Sequence, residues 1–237
     1  MKVVRETPEL IVLDDFLEPQ DFALVHEFVQ SADYARNPKW MKPWDLADSM
    51  PWQTGETVYH PVKRLPPGDP RRQYPTGTAL DRLIERILGT KFYRHHFRDT
   101  AQSMTARAYL HPQGGSLDWH NDAGRFAGAY AFYAHTRWHI SWGGELLLVE
   151  DDIPDSLLPD HEYLEGGELK RRKTWNVIHK EDLSELLMER SLRTSWIFPR
   201  PNRILIMRRG LWHKINQVKS NAPFARCSIA GFFLPDE

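Results

Sequence analysis

The sequence has a single cysteine, Cys227, among 237 residues, so an internal disulfide is impossible and a thiolate metal cluster is excluded. It has no surplus of either charge. Thirty-one Lys and Arg against 32 Asp and Glu leave a net charge of −1, which argues against a protein held on nucleic acid through phosphates. It has no apolar run of 18 residues, so no transmembrane helix is expected. The opening MKVVRETPELIVLDDF places charges where a secretory signal needs its apolar stretch. These absences predict a cytoplasmic protein with neither nucleic acid nor membrane as partner. What is present is ample material for a core, with 41% hydrophobic residues and nine tryptophans. Eleven histidines and the carboxylates remain as metal donors.

The first hundred residues read as a helical part. Glu9–Phe16 is a short strand. Pro19 opens a helix to about Ala32, with Phe22, Leu24, Val25, Phe28 and Val29 at helical spacing. Thr78 caps a second helix, striped by Leu80, Leu83, Ile84, Ile87 and Leu88 and ended by Gly89. Trp40, Trp44 and Trp52 lie in an aperiodic stretch that is either a packed loop or a lid, and 60–77 is a proline-rich loop. After residue 100 come short β-rich runs: Met104–Leu110, Ala129–Ser141, Glu145–Val149, Trp196–Phe198, Ile204–Met207, Trp212–Asn216 and Arg226–Leu234. A polar insert, Asp151–Ser195, interrupts them, with a basic run at Lys170–Lys173 and a helix over Glu181–Arg190. The pattern predicts an α+β protein of one domain, 1–237, with helices in 1–100 and a mainly β core, a sandwich or barrel, in 101–237.

The chemistry centres on His120-Asn121-Asp122. An H-x-D pair carries little alone, since His179-Lys180-Glu181 repeats the form at the head of a polar segment. Context adds the weight. The run YLHPQGGSLDWHND leads from a strand through a glycine turn into the pair; WGGEL, then His213, then Arg226-Cys227-Ser228 follow in order. Alternation sets Arg226, Ser228, Ala230 and Phe232 on one face of the last strand, and Cys227, Ile229 and Phe233 on the other. His120 and Asp122, two residues apart, would point the same way from one strand.

From Tyr109 to Phe233 this ordered set resembles the Fe(II)- and 2-oxoglutarate-dependent oxygenases, in particular the prolyl 4-hydroxylase-like branch. The opening IVLDDFL followed by a helix is similar to the start of that branch. The resemblance implies a double-stranded β-helix (a jelly roll, cupin-like) with the N-terminal helices packed on it. It implies that His120, Asp122 and His213 hold Fe(II), since two imidazoles and a carboxylate on one face leave three positions open. It implies that Arg226 anchors the far carboxylate of 2-oxoglutarate through charge-assisted bonds worth roughly 1.5–3 kcal/mol each, with Tyr109 and Ser228 helping. The activity implied is an O2-dependent hydroxylation of an unactivated C–H bond that releases succinate and CO2, with a small molecule favoured over a protein as substrate. Two other readings stay open on the residues alone: a non-catalytic jelly-roll binding module, and a metal hydrolase, which gives Arg226 no task. Arg107, on the face of Tyr109, points into the barrel or toward Asp118. Trp138 and Trp142 are core or substrate wall.

Overall fold

The computed structural model describes residues 1–36, 49–59, 76–122, 126–151, 153, 160–165, 168–173 and 189–235. Two antiparallel sheets face each other. The larger takes eight strands: β1 (Lys2–Glu6), β2 (Leu10–Asp14), β3 (Trp52–Gln53), β4 (Thr57–Tyr59), β5 (Ser103–His111), β7 (Gly128–Tyr133), β12 (Ile204–Arg208) and β14 (Arg226–Leu234). Its order is β1-β2-β12-β7-β14-β5-β3, with β4 also on β5. The smaller runs β11-β8-β13-β6, from Thr194–Ile197, Leu146–Val149, His213–Ile215 and Leu117–His120. This is the double-stranded β-helix expected.

Strict alternation builds both layers of core. The outward residues of the large sheet, Ile11, Leu13, Ile204, Ile206, Phe132, Cys227, Ile229 and Phe233, pack under three helices. These are α1 (Pro19–Ser31), α2 (Leu80–Leu88) and α3 (Lys91–His96), which contribute Val25, Val29, Leu83, Ile84, Ile87, Phe92 and Tyr93. Leu10, Val12, Ala129, Leu205 and Met207 point inward against Leu146, Leu148 and Ile197 of the small sheet. No helix among the described residues is long and apolar enough to cross a membrane.

Several boundaries differ from the sequence reading. The strand expected over Ala129–Ser141 stops at Tyr133, one residue past the Phe132–Ile204 pair where its ladder with β12 begins. Ile140–Trp142 is instead a 3-10 turn, and the His139 side chain accepts its first free amide, from Ser141. α3 was not foreseen, although Thr90 is its cap and accepts the Tyr93 amide at 3.1 Å. Gly89 closes α2 with an ordinary φ of −73°, since the chain turns straight into α3. β1, β3 and β4 are edge strands too short or too exposed to show periodicity. The insert rises between Val149 and Thr194, and its base is closed by Arg193, whose amide and Nε donate to the Asp151 carboxylate at 2.6 and 2.9 Å. It contains a hairpin, β9 (Asp160–Glu165) with β10 (Glu168–Lys173), so the Lys170–Lys173 run lies on a strand. Trp40, Trp44, His179 and all but the last two residues of the Glu181–Arg190 helix lie outside the described residues.

Candidate metal and cosubstrate site

Two neighbouring strands of the small sheet deliver the histidines. His213, first residue of β13, stands directly across from His120, last residue of β6. Their rings lie 4.1 Å apart between centroids. Asp122 arrives by a different route from the one its spacing suggests. β6 ends at His120, and Asp122 adopts a left-handed φ of +53°, a conformation that Asp tolerates better than most residues. The turn of the chain, not strand alternation, brings its carboxylate back to the rings.

The hydrogen bonds fix which ring nitrogens face the carboxylate. His120 Nδ1 bonds the Asp118 carbonyl at 2.6 Å, and His213 Nδ1 bonds the Leu211 carbonyl at 2.7 Å. A carbonyl only accepts, so each Nδ1 carries the proton and each Nε2 presents a lone pair. Those two Nε2 atoms lie 3.9 and 3.4 Å from the Asp122 oxygens, and one ligand atom from each residue falls within 4.8 Å of the others. Ligands about 2.1 Å from one ion at right angles sit about 3 Å apart, so closure needs only small side-chain movements. Burial, with the neighbouring His213, lowers the His120 pKa to about 4 and keeps its ring neutral at physiological pH. Burial works against the Asp122 carboxylate, but His120 and His213 hold its pKa below the usual value. The donor set is thus the Nε2 atoms of two imidazoles and a carboxylate anion.

Opposite them, the inner face of the large sheet carries a polar band. Tyr109 of β5, Ser228 of β14 and Tyr133 of β7 occupy one register row across three strands. Arg226, opposite His111, lies in the next row. Arg226 is 1% exposed. Its Nε donates to the Gly144 carbonyl at 2.9 Å, Nη1 to Ser228 Oγ at 3.2 Å, and its guanidinium lies 4.9 Å from the centre of the Tyr133 ring. Gly144 is needed here, because a Cβ on it would come within 2.9 Å of Arg226 Cδ, and its φ is +73°. Arg226 has no carboxylate partner among the described residues, and an unpaired buried charge costs several kcal/mol. The space beside it therefore suits an anion. Burial and the Arg226 cation push the His111 pKa well down, so His111 adds no second charge there.

Sequence reasoning missed Tyr133. Its hydroxyl is buried with no hydrogen-bond partner and it touches Arg226 with its ring. The available signal was alternation along Ala129, Ala131 and Tyr133, which sets a tyrosine on the inner face. Arg107 does point to the inner face. Its Nη1 donates to Gln53 Oε1 at 3.3 Å and Nη2 lies 3.8 Å from Glu56. Trp138 and Trp142 back the glycine turn, with Trp138 Nε1 donating to the Gly143 carbonyl at 2.9 Å and the two indoles edge to face. Cys227 faces the helices, and the exposed His95 has no part in the site.

No family model matches the sequence, and no curated protein matches it. Solved structures do. A prolyl hydroxylase from Trichoplax adhaerens, in complex with a hypoxia inducible factor peptide fragment, matches 97% of this chain and 84% of its own at a TM-score of 0.51 and 15% identity. A Pseudomonas putida prolyl-4-hydroxylase matches 96% and 93%, with TM-score 0.47 and 13% identity. A 2OG-Fe(II) oxygenase family oxidoreductase from Burkholderia pseudomallei matches 95% and 85%, with TM-score 0.48 and 10% identity. At these identities the likeness concerns fold, and it rests on the first of the three: the chain has the double-stranded β-helix fold of the Trichoplax prolyl hydroxylase.

Proposed function

We propose that the protein is an Fe(II)- and 2-oxoglutarate-dependent oxygenase that hydroxylates a C–H bond of a small molecule, with the whole chain, 1–237, forming one catalytic domain. One observation carries this reading. Two Nε2 lone pairs and a carboxylate converge on one side of a barrel whose other side holds a buried arginine with no counter-ion among the described residues. A metal hydrolase would use the first half of that arrangement and leave Arg226 without a task.

In this reading His120, Asp122 and His213 hold the metal. Iron bound there, with 2-oxoglutarate and O2, supplies the oxidation that turns C–H into C–OH while the cosubstrate leaves as succinate and CO2. The chain's own contributions are positional and electrostatic. The Asp118 and Leu211 carbonyls keep both imidazoles in the tautomer that offers Nε2. Arg226 receives the far carboxylate of 2-oxoglutarate, held against Gly144 and Ser228 so that little side-chain freedom is lost on binding. Tyr133 donates its free hydroxyl to the same carboxylate, and Tyr109 and Ser228 complete that end of the site. The inner apolar residues Leu146, Leu148 and Met207 keep bulk water from the barrel.

The test is anaerobic titration of the purified protein with Fe(II), then with 2-oxoglutarate. One of each should bind per chain, and succinate should form when O2 is admitted. Binding of neither would sink the reading. Turnover stimulated only by peptides would move the substrate from small molecule to protein side chain.

A further inference from the structure

Inner-facing positions of a packed barrel are normally shut off from solvent. Here the row beyond Tyr109, Ser228 and Tyr133 is different. Arg107, Ala230 and Ala131 are register partners across β5, β14 and β7, and all three remain partly exposed. Two small side chains at inner positions leave this strip partly open to solvent. Phe232, two residues further along β14, walls that space together with Phe126, the rings stacked 3.9 Å apart. The opening thus has an alanine floor, an aromatic wall and one arginine. Tyr109 lies close enough to feel the charges of both Arg107 and Asp122 and so joins the arginine to the metal-ligand end.

Among the described residues Arg107 is loosely partnered for so enclosed a cation. Its side chain is 18% exposed, its Nε is buried without a hydrogen bond, its bond to Gln53 is long, and the Glu56 carboxylate stands off at 3.8 Å and is 41% exposed. A guanidinium offers five donors in a planar fork suited to a carboxylate, and Glu56 is placed as a weak, displaceable stand-in for one.

We propose that Arg107 sets substrate specificity by binding a carboxylate of an amino-acid-sized substrate, in the opening floored by Ala131 and Ala230, in competition with Glu56. This inference rests on the oxygenase reading above and narrows its substrate to an anionic small molecule.

The experiment uses the full chain under anaerobic conditions. Fe(II) and 2-oxoglutarate are added and the visible charge-transfer band of the chelate is recorded. Free L-amino acids and the corresponding primary amides are then titrated, following the shift of that band, and succinate formation is measured on admitting O2. At least one acid should shift the band and stimulate succinate formation, with its amide binding at least tenfold more weakly. Arg107→Gln should erase the preference of acid over amide, and Arg107→Lys should restore part of it. Glu56→Gln should tighten acid binding, because the resting competitor is gone. If Arg107 only clips β3 and β4 to β5, Glu56→Gln lowers the melting temperature and leaves acid affinity unchanged, which overturns the proposal. A chelate band with no acid preferred over its amide, or with the preference intact in Arg107→Gln, overturns it too and leaves the oxygenase reading standing. Absence of the chelate band removes both.

Discussion

The two faces of the strands β5, β14 and β7 are made by the same backbone and obey different rules. Outward go Met104, Ala106 and Ala108, then Cys227, Ile229 and Phe233, then Tyr130 and Phe132, and every one is buried against the helical layer. Inward go Arg107, Tyr109 and His111, then Arg226 and Ser228, then Tyr133. Packing explains the outer set, since each side chain gains by leaving water. It does not explain the inner set, where among the described residues a charge lies buried without a counter-ion and a tyrosine hydroxyl lacks a partner. Groups that cost stability and sit together on one inner face are the mark of a binding site.

The sharpest way to break this contrast is to truncate one residue of each kind. His120→Ala, Asp122→Ala or His213→Ala should abolish Fe(II) binding and succinate formation while leaving cooperative unfolding in place, as read by equilibrium dialysis and thermal melting. Ile229→Ala should do the opposite. It should cost about 2–5 kcal/mol of stability by opening a cavity under the helices, with one Fe(II) still bound per folded chain. Loss of metal binding in folded Ile229→Ala protein would mean that the two faces are not separable.

Acid titration of the metal-free protein extends the comparison. His120 and His135 both have pKa values lowered to about 4 by burial, against about 6.5 in an unfolded chain. A base whose pKa falls on folding is a neutral group that must take a proton to charge. Its contribution is complete above pH 6.5 and is lost as pH falls from there toward 4. Each such histidine adds a slope of up to about 1.4 kcal/mol per pH unit in that window. Chemical denaturation at stepped pH should show that slope, and His135→Gln should flatten it. A pH-independent stability between 6.5 and 4 would show that these rings are not buried neutral.

How much of this was legible in the sequence follows the same division. The outer face was readable because alternation and helical spacing are statements about burial, so α1, α2 and β14 came out close to their observed bounds. The ligand residues were readable as an ordered set. The means by which Asp122 reaches the histidines was not, because a left-handed turn after a strand leaves no periodic trace. Thr90 as a cap was visible, but α3 has only six residues and its stripe merges with that of α2. Tyr133 was hidden by reading its strand eight residues too long, which blurred the inner and outer positions at its end.

Arg226 gives a prediction that separates ligand binding from stability. Arg226→Met should raise the half-saturating 2-oxoglutarate concentration about 10- to 100-fold, matching the roughly 1.5–3 kcal/mol of a charge-assisted bond. It should not lower the melting temperature of the ligand-free protein, because an unpaired buried charge is exchanged for an apolar chain of similar volume. A large loss of stability in this variant would make Arg226 a structural residue held by Gly144 and Ser228.

The smallest expected effect is the most diagnostic for the residue that the sequence reading passed over. Tyr133→Phe removes one oxygen and keeps the ring that lies against Arg226. If that hydroxyl has no partner in the free protein, its removal takes away no hydrogen bond and spares the cost of burying a polar group, so stability should stay level or rise slightly. With 2-oxoglutarate present the hydroxyl gains an acceptor, and the variant should bind the cosubstrate about 3- to 10-fold more weakly, equivalent to the roughly 0.5–1.5 kcal/mol of one hydrogen bond. Isothermal titration and melting on the same preparations read both numbers. A variant that loses stability yet binds 2-oxoglutarate normally would place Tyr133 with the outer, packing set and shrink the polar band to Arg226, Ser228 and Tyr109.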